Sequence, residues 1–165
     1  MTSRIDLLHA NPKAVQLLLA IERYLHGSSL GSGLQHLVKT RASQINGCAY
    51  CLDMHTKDAR AEGESEQRLY ALDAWRETPF FDDRERAALE WTEAVTRVAE
   101  THVPDDVYEH VRRHFTEEEL IDLTLAITNI NAWNRLNIAF RTPAGGYRPG
   151  MYKPLTAGAA AASGA

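Results

Sequence analysis

The chain has little cysteine, no long apolar run and no excess of basic charge. Only two of its 165 residues are cysteine, which excludes a small scaffold stapled by several disulfides. No uninterrupted apolar stretch approaches the ~18 residues of a membrane-spanning helix, so no membrane partner is expected. The opening MTSRIDLLHANPK carries charges and a proline in place of the apolar core of a secretory signal, and a cytoplasmic protein is the resulting expectation. The 18 Lys and Arg are outnumbered by 22 Asp and Glu, for a formal net charge of -4, which leaves no electrostatic footprint for nucleic acid. Alternating strand patterns, internal repeats and a Pro/Gly-rich interior linker are also missing.

What is present is helical periodicity nearly throughout. Asn11-Pro12 starts a first helix that closes at Gly27. A second runs from about Leu30 to Ile45, with Leu34, Leu37, Val38, Ala42 and Ile45 on one buried face. Asn46-Gly47 breaks it, and a third follows from about Cys48 to Ala61, stopped by Gly63. Ser65 caps a fourth reaching Trp75 through Leu69 and Leu72. Asp82 or Asp83 caps a fifth that runs past Val95 to Val98, and Pro104 opens a sixth ending near Phe115. Thr116-Glu-Glu-Glu119 is a capping box launching a long apolar helix to Phe140. That helix is apolar on more than one face, as expected of an element buried centrally or shared between subunits. The fold predicted is an all-α, single-domain helical bundle over residues 1–153, with a central helical hairpin carrying the cysteines. Residues 154–165, ending GAAAASGA, are predicted to be a poorly ordered tail.

Both cysteines fall in Cys48-Ala-Tyr-Cys51-Leu-Asp-Met-His55. On a helix, positions i, i+3 and i+7 share a face, so two sulfurs and an imidazole lie along one stripe. Two thiols that close form a disulfide, and a thiol becomes nucleophilic as its thiolate. The helix start after Gly47 and the imidazole of His55 both favour that ionisation. A thiolate that attacks a peroxide becomes a sulfenic acid, which a second thiol condenses to a disulfide for an external reductant to reopen. The spacing leaves open which sulfur attacks; proximity to His55 favours Cys51, with Cys48 resolving. His36, Thr40, Ser43 and Gly47 form a polar-to-small stripe on the preceding helix. If the two helices fold as a hairpin the stripe faces the cysteines and makes His36 a proton-relay candidate. This chemistry requires no metal or organic cofactor.

The stretch Leu37-Val-Lys-Thr-Arg-Ala-Ser-Gln-Ile-Asn-Gly-Cys-Ala-Tyr-Cys-Leu-Asp-Met-His55 resembles the AhpD-like alkylhydroperoxidase branch of the carboxymuconolactone decarboxylase superfamily. The likeness continues through Trp75–Phe81, Arg84–Leu89, Trp91–Thr96 and Asn131-Ala-Trp-Asn-Arg135. The resemblance implies an all-α fold assembling into homo-oligomers, often trimers or hexamers. It implies peroxidase activity on hydrogen peroxide or organic hydroperoxides through Cys48, Cys51 and His55. The reductant it implies is an external dithiol partner, of a lipoylated or thioredoxin-like kind. The AhpD-type relay has a glutamate twelve residues before the first cysteine, where this chain has His36, and a histidine before the second, where it has Tyr50.

Two other functions are consistent with the sequence. One is a decarboxylase- or hydrolase-like activity on a small carboxylated ring, using His and Arg without the cysteines. The other is a non-enzymatic thiol redox sensor. Zinc needs a fourth ligand beside Cys48, Cys51 and His55, which only His36 supplies. Tyr50 is expected to line the pocket, Asp53 and Asp58 to be solvated, and Trp75, Phe80, Phe81 and Trp91 to be core. Asn131, Asn134 and Arg135 are expected to bond between helices or subunits, and Arg41 to pair with an acidic residue.

Overall fold

The computed structural model describes residues 2–152; the predicted tail at 154–165 lies outside them. Among the described residues, nine α-helices follow in order: α1 (Leu7–Ala10), α2 (Pro12–His26), α3 (Ser32–Asn46), α4 (Ala49–Ala61), α5 (Glu66–Ala71), α6 (Asp83–Thr96), α7 (Val98–Thr101), α8 (Asp105–Val111) and α9 (Glu117–Phe140). A 3-10 segment, Leu72–Glu77, follows α5. The described residues contain no strand, as the periodicity predicts, and no helix among them is long and apolar enough to cross a membrane.

The start signals act through the bonds expected of them. Asn11 Oδ1 accepts from Ala14 N at 3.1 Å, with Pro12 in the first turn of α2. Asp82 with Glu85, and Thr116 with Glu119, form reciprocal capping boxes. Arg84 reaches from α6 to Glu119 at 2.8 Å, and that hydrogen bond, with the Thr116 amide, holds the Glu119 carboxyl at about 2.

Helix α1 is not among the expected elements, and α8 stops at Val111, short of the Phe115 expected for the sixth helix. Two further segments depart from expectation. The fourth helix ends as α-helix at Ala71, and Ala74 (φ -108°, ψ 30°) is non-helical. Leu69, Leu72 and Trp75 recur every three residues, the period of a 3-10 helix. That winding lets Leu72 and Trp75 bury together against Leu37, Phe81 and Leu89. The fifth helix breaks at Arg97 (φ -101°, ψ 32°), one residue before Val98, which belongs to the short α7.

Helix α3 lies at the centre, packed against α4, α6 and α9. A single buried face was expected; instead Gln35, Lys39, Thr40, Arg41 and Ser43 are buried along with the apolar positions. Most of these polar groups are met by neighbours, which is the condition for burying them. Gln35 donates to Leu25 O at 2.7 Å. Lys39 pairs with Glu22 of α2 at 2.7 Å. Arg41 pairs with Glu93 of α6 at 2.8 Å and with Asp73. Ser43 accepts from Asn134 of α9 at 3.0 Å.

Candidate active site

The site begins with the turn between α3 and α4. Gly47 has φ +67° and ψ 33°, the left-handed conformation that costs any residue with a Cβ. It places Cys48 N 3.0 Å from Ser43 O and its own N–H 3.1 Å from Gln44 O, a Schellman closure of α3. Cys48 is at once the N-cap of α4, its sulfur accepting from Cys51 N at 3.4 Å. Cys51 therefore sits in the first turn of α4, where the helix dipole favours an anion.

Cys48 and Cys51 are joined as a disulfide with Cα atoms 5.4 Å apart, inside the usual range. Each is 1% exposed, and both pack with Ala42 and Ile130. A cavity of about 540 Å³ opens beside them. Cys51, His55, His36 and Tyr50 line it, together with apolar side chains such as Leu8, Leu19, Met54 and Trp133. Cys48 packs behind this wall. Of the polar stripe on α3, His36 reaches the cavity, whereas Ser43 is turned toward Asn134 of α9.

His55 is buried, and neither ring nitrogen has a hydrogen-bond partner. Burial drives its imidazole well below the usual histidine value, and the positive charge of Lys39 and the neighbouring His36 act in the same direction. It is consequently neutral at pH 7. The His36 ring stands 6.3 Å from it, centroid to centroid, and His36 is also lowered by burial, with Glu62 opposing. Tyr50 hydroxyl meets Tyr152 hydroxyl at 2.6 Å; burial and that bond push the phenol upward, so it stays protonated.

Several participants were not singled out in the sequence. Asn137 of α9 points Nδ2 at Cys51 Sγ from 3.6 Å. Glu62 holds His36 at 3.2 Å. The Glu22–Lys39 pair lies in the cavity wall. Asp53 and Asp58 are not simply solvated: Asp58 accepts from Tyr147 hydroxyl at 2.8 Å, and Asp53 from Gly145 N at 2.9 Å. They fasten the segment after α9 against α4. Beneath the site, Asn46 donates to Asn131 at 2.9 Å and Asn134 at 2.8 Å, an α3–α9 bond network. Trp75, Phe81 and Trp91 are core, while Phe80 is exposed. Among the described residues no three His, Cys, Asp or Glu converge to hold a metal.

The carboxymuconolactone decarboxylase family profile matches residues 12–94, a span that contains the turn, the cysteines and the histidines. The chain belongs to the carboxymuconolactone decarboxylase family. The uncharacterised protein YdfG of Bacillus subtilis is 45% identical over 139 residues, covering 84% of this chain and 95% of that protein. A protein of unknown function from Agrobacterium tumefaciens, described as AhpD-type antioxidant defence, superposes with a TM-score of 0.85 at 44% identity, covering 88% of this chain and all of that one. These likenesses assign the chain to the AhpD-like branch. The debrominase Bmp8, in complex with 2,3,4-tribromopyrrole, shares the fold at 19% identity and a TM-score of 0.74, over 82% of this chain and 73% of its own.

Proposed function

We propose that the protein is a thiol-dependent peroxidase that reduces hydroperoxides with Cys51 as attacking thiol and Cys48 as resolving thiol. The observation that carries this reading is that Cys51 and His55 share the wall of one largely apolar cavity while Cys48 is bonded to Cys51 from behind. In the reduced protein, neutral His55 takes the Cys51 proton and the thiolate attacks the terminal oxygen of R–O–O–H. The S–O bond forms and the O–O bond breaks. The leaving alkoxide takes the proton back from His55, giving ROH and Cys51 sulfenic acid. Cys48 sulfur then attacks Cys51 sulfur; the S–S bond forms and the oxygen departs as water with the Cys48 proton. An external dithiol reduces the disulfide and is itself oxidised.

Asn137 supports this reading as a donor to the developing charge on Cys51. The apolar walls favour an organic hydroperoxide over hydrogen peroxide. A decarboxylase-type reaction asks for a cation free to hold a carboxylate; among the described residues the one Lys or Arg in the wall is Lys39, and it is engaged by Glu22 and Gln35.

Turnover with dithiothreitol tests the assignment. Cys51→Ser should lower kcat/KM at least ~100-fold, the scale of losing a covalent nucleophile. Cys48→Ser should retain one burst of peroxide consumption and accumulate a dimedone-reactive sulfenic acid at Cys51. Cumene hydroperoxide should be preferred to hydrogen peroxide. Wild-type turnover in Cys51→Ser would refute the reading.

A further inference from the structure

The peroxidase reading requires something to govern the proton on His55, and the ring of His36 stands beside it. Its Nε2 lies 3.2 Å from Glu62 Oε2, and Glu62 is the C-cap residue of α4 with a side chain 39% exposed against 16% for His36. A carboxylate at Nε2 fixes that nitrogen as the donor, leaving Nδ1 a bare acceptor. His36 Nδ1 and both His55 nitrogens are buried without hydrogen-bond partners. Three unmet nitrogens on two neighbouring rings, 6.3 Å apart and tilted by 53°, are more than a satisfied interior leaves over. Both rings border the same cavity of about 540 Å³, large enough to hold water.

We propose that His36 and Glu62 are positioning residues for His55, a His55–His36–Glu62 series that ends at the surface. The proton that Cys51 gives up is held on His55. The Glu62 charge, conveyed through the His36 Nε2–H, favours the resulting imidazolium until the alkoxide reclaims the proton. No electrons move through the series. The surrounding charges are Lys39 on α3, which opposes a cation on either ring, and Glu22 on α2, which partly neutralises Lys39. Asp58 on α4 favours the cation at His36, Asp6 borders the same cavity, and the Tyr50 phenol stays neutral.

The inference rests on the peroxidase reading, and pH-dependent alkylation of the reduced protein separates the two. Iodoacetamide labelling of Cys51 is followed by mass spectrometry. Wild-type Cys51 should ionise below the ordinary thiol value of ~8.5. Glu62→Gln should raise the midpoint by about half a unit, making Cys51 about threefold slower to label at pH 7. His36→Gln should do the same, and the double variant should add nothing, because the two act in series. Glu62→Asp should recover part of the shift, and Glu64→Gln, away from the site, should match wild type. Glu62 is half in solvent, so its variants carry the test even if His36→Gln does not fold. A depressed wild-type midpoint left unmoved by Glu62→Gln would overturn the relay and spare the peroxidase. An ordinary thiol value in wild-type Cys51 would overturn both.

Discussion

His55 is enclosed, uncharged at neutral pH and unbonded at both nitrogens, and it loads the native state with an acid sensitivity. The unfolded chain binds a proton at this residue below its ordinary value of about 6.5, while the native state resists one until a lower pH. Stability present above pH ~6.5 is therefore lost as pH falls through that value, with a slope of at most ~1.4 kcal/mol per pH unit for one proton. His36, also lowered by burial, contributes with the same sign. Urea unfolding of the oxidised protein from pH 7 to 5 should show this decline, and His55→Gln should flatten it. An equal decline in that variant would assign the sensitivity elsewhere. Asn137 offers a second test at this scale. Its amide is 3.6 Å from Cys51 Sγ, and a hydrogen bond to a charged sulfur is worth ~1.5 kcal/mol. Asn137→Ala should lower kcat/KM about tenfold at pH 7 and lose less at pH 9, where the thiolate forms unaided. The cysteines and His55 were legible because their partners are local, three and four residues apart. Asn137 and Glu62 were not: they reach the site from 86 residues beyond Cys51 and from 26 residues beyond His36, and no local pattern marks such a meeting.

The element that matters most is the α3–α4 turn. A Cβ at Gly47 would meet nothing within 4 Å, so its substitution is penalised by backbone conformation alone. Gly47→Ala should cost ~1–2 kcal/mol, seen as a lower urea midpoint with an unchanged m-value. A neutral result would mean that the turn relaxes out of the left-handed region. Caps with a side-chain bond made most boundaries legible: Asn11, Ser65 and Thr116 act as read, and Asp82 is the one of the two candidates that caps α6. Asp6, which accepts from the Leu8 and His9 amides to start α1, was missed. The misread pieces have weaker local codes. Leu69, Leu72 and Trp75 fit both a 3.6-residue and a 3.0-residue winding, and burial of Trp75, whose indole donates to Glu93 at 2.9 Å, selects the tighter one. The burial of α3 on all sides was hidden because its polar residues look like a solvent face until Glu22, Glu93, Asp73 and Asn134 arrive from other helices.

For the molecule as a whole, the helical class and the hairpin bearing the cysteines could be read from periodicity and from the break at Asn46-Gly47. The cavity could not, since its walls come from both ends of the described chain, from Ser3 to Tyr152. Leu17 is 71% exposed on α2 and Ile121 68% on α9, and we propose that such surfaces serve the homo-oligomer implied by the family resemblance. Sedimentation velocity should show an assembly larger than one chain, and Leu17→Glu with Ile121→Glu should shift it toward smaller species; a monomeric wild type would reject that proposal. The central claim is that one hydroperoxide is reduced by these two sulfurs together. Its most direct test adds one equivalent of cumene hydroperoxide to the fully reduced protein and follows intact mass, peptide linkage and alcohol released. The account predicts one alcohol per chain, the loss of two hydrogens and a Cys48–Cys51 crosslink. Both thiols remaining free, with the hydroperoxide intact, would contradict it.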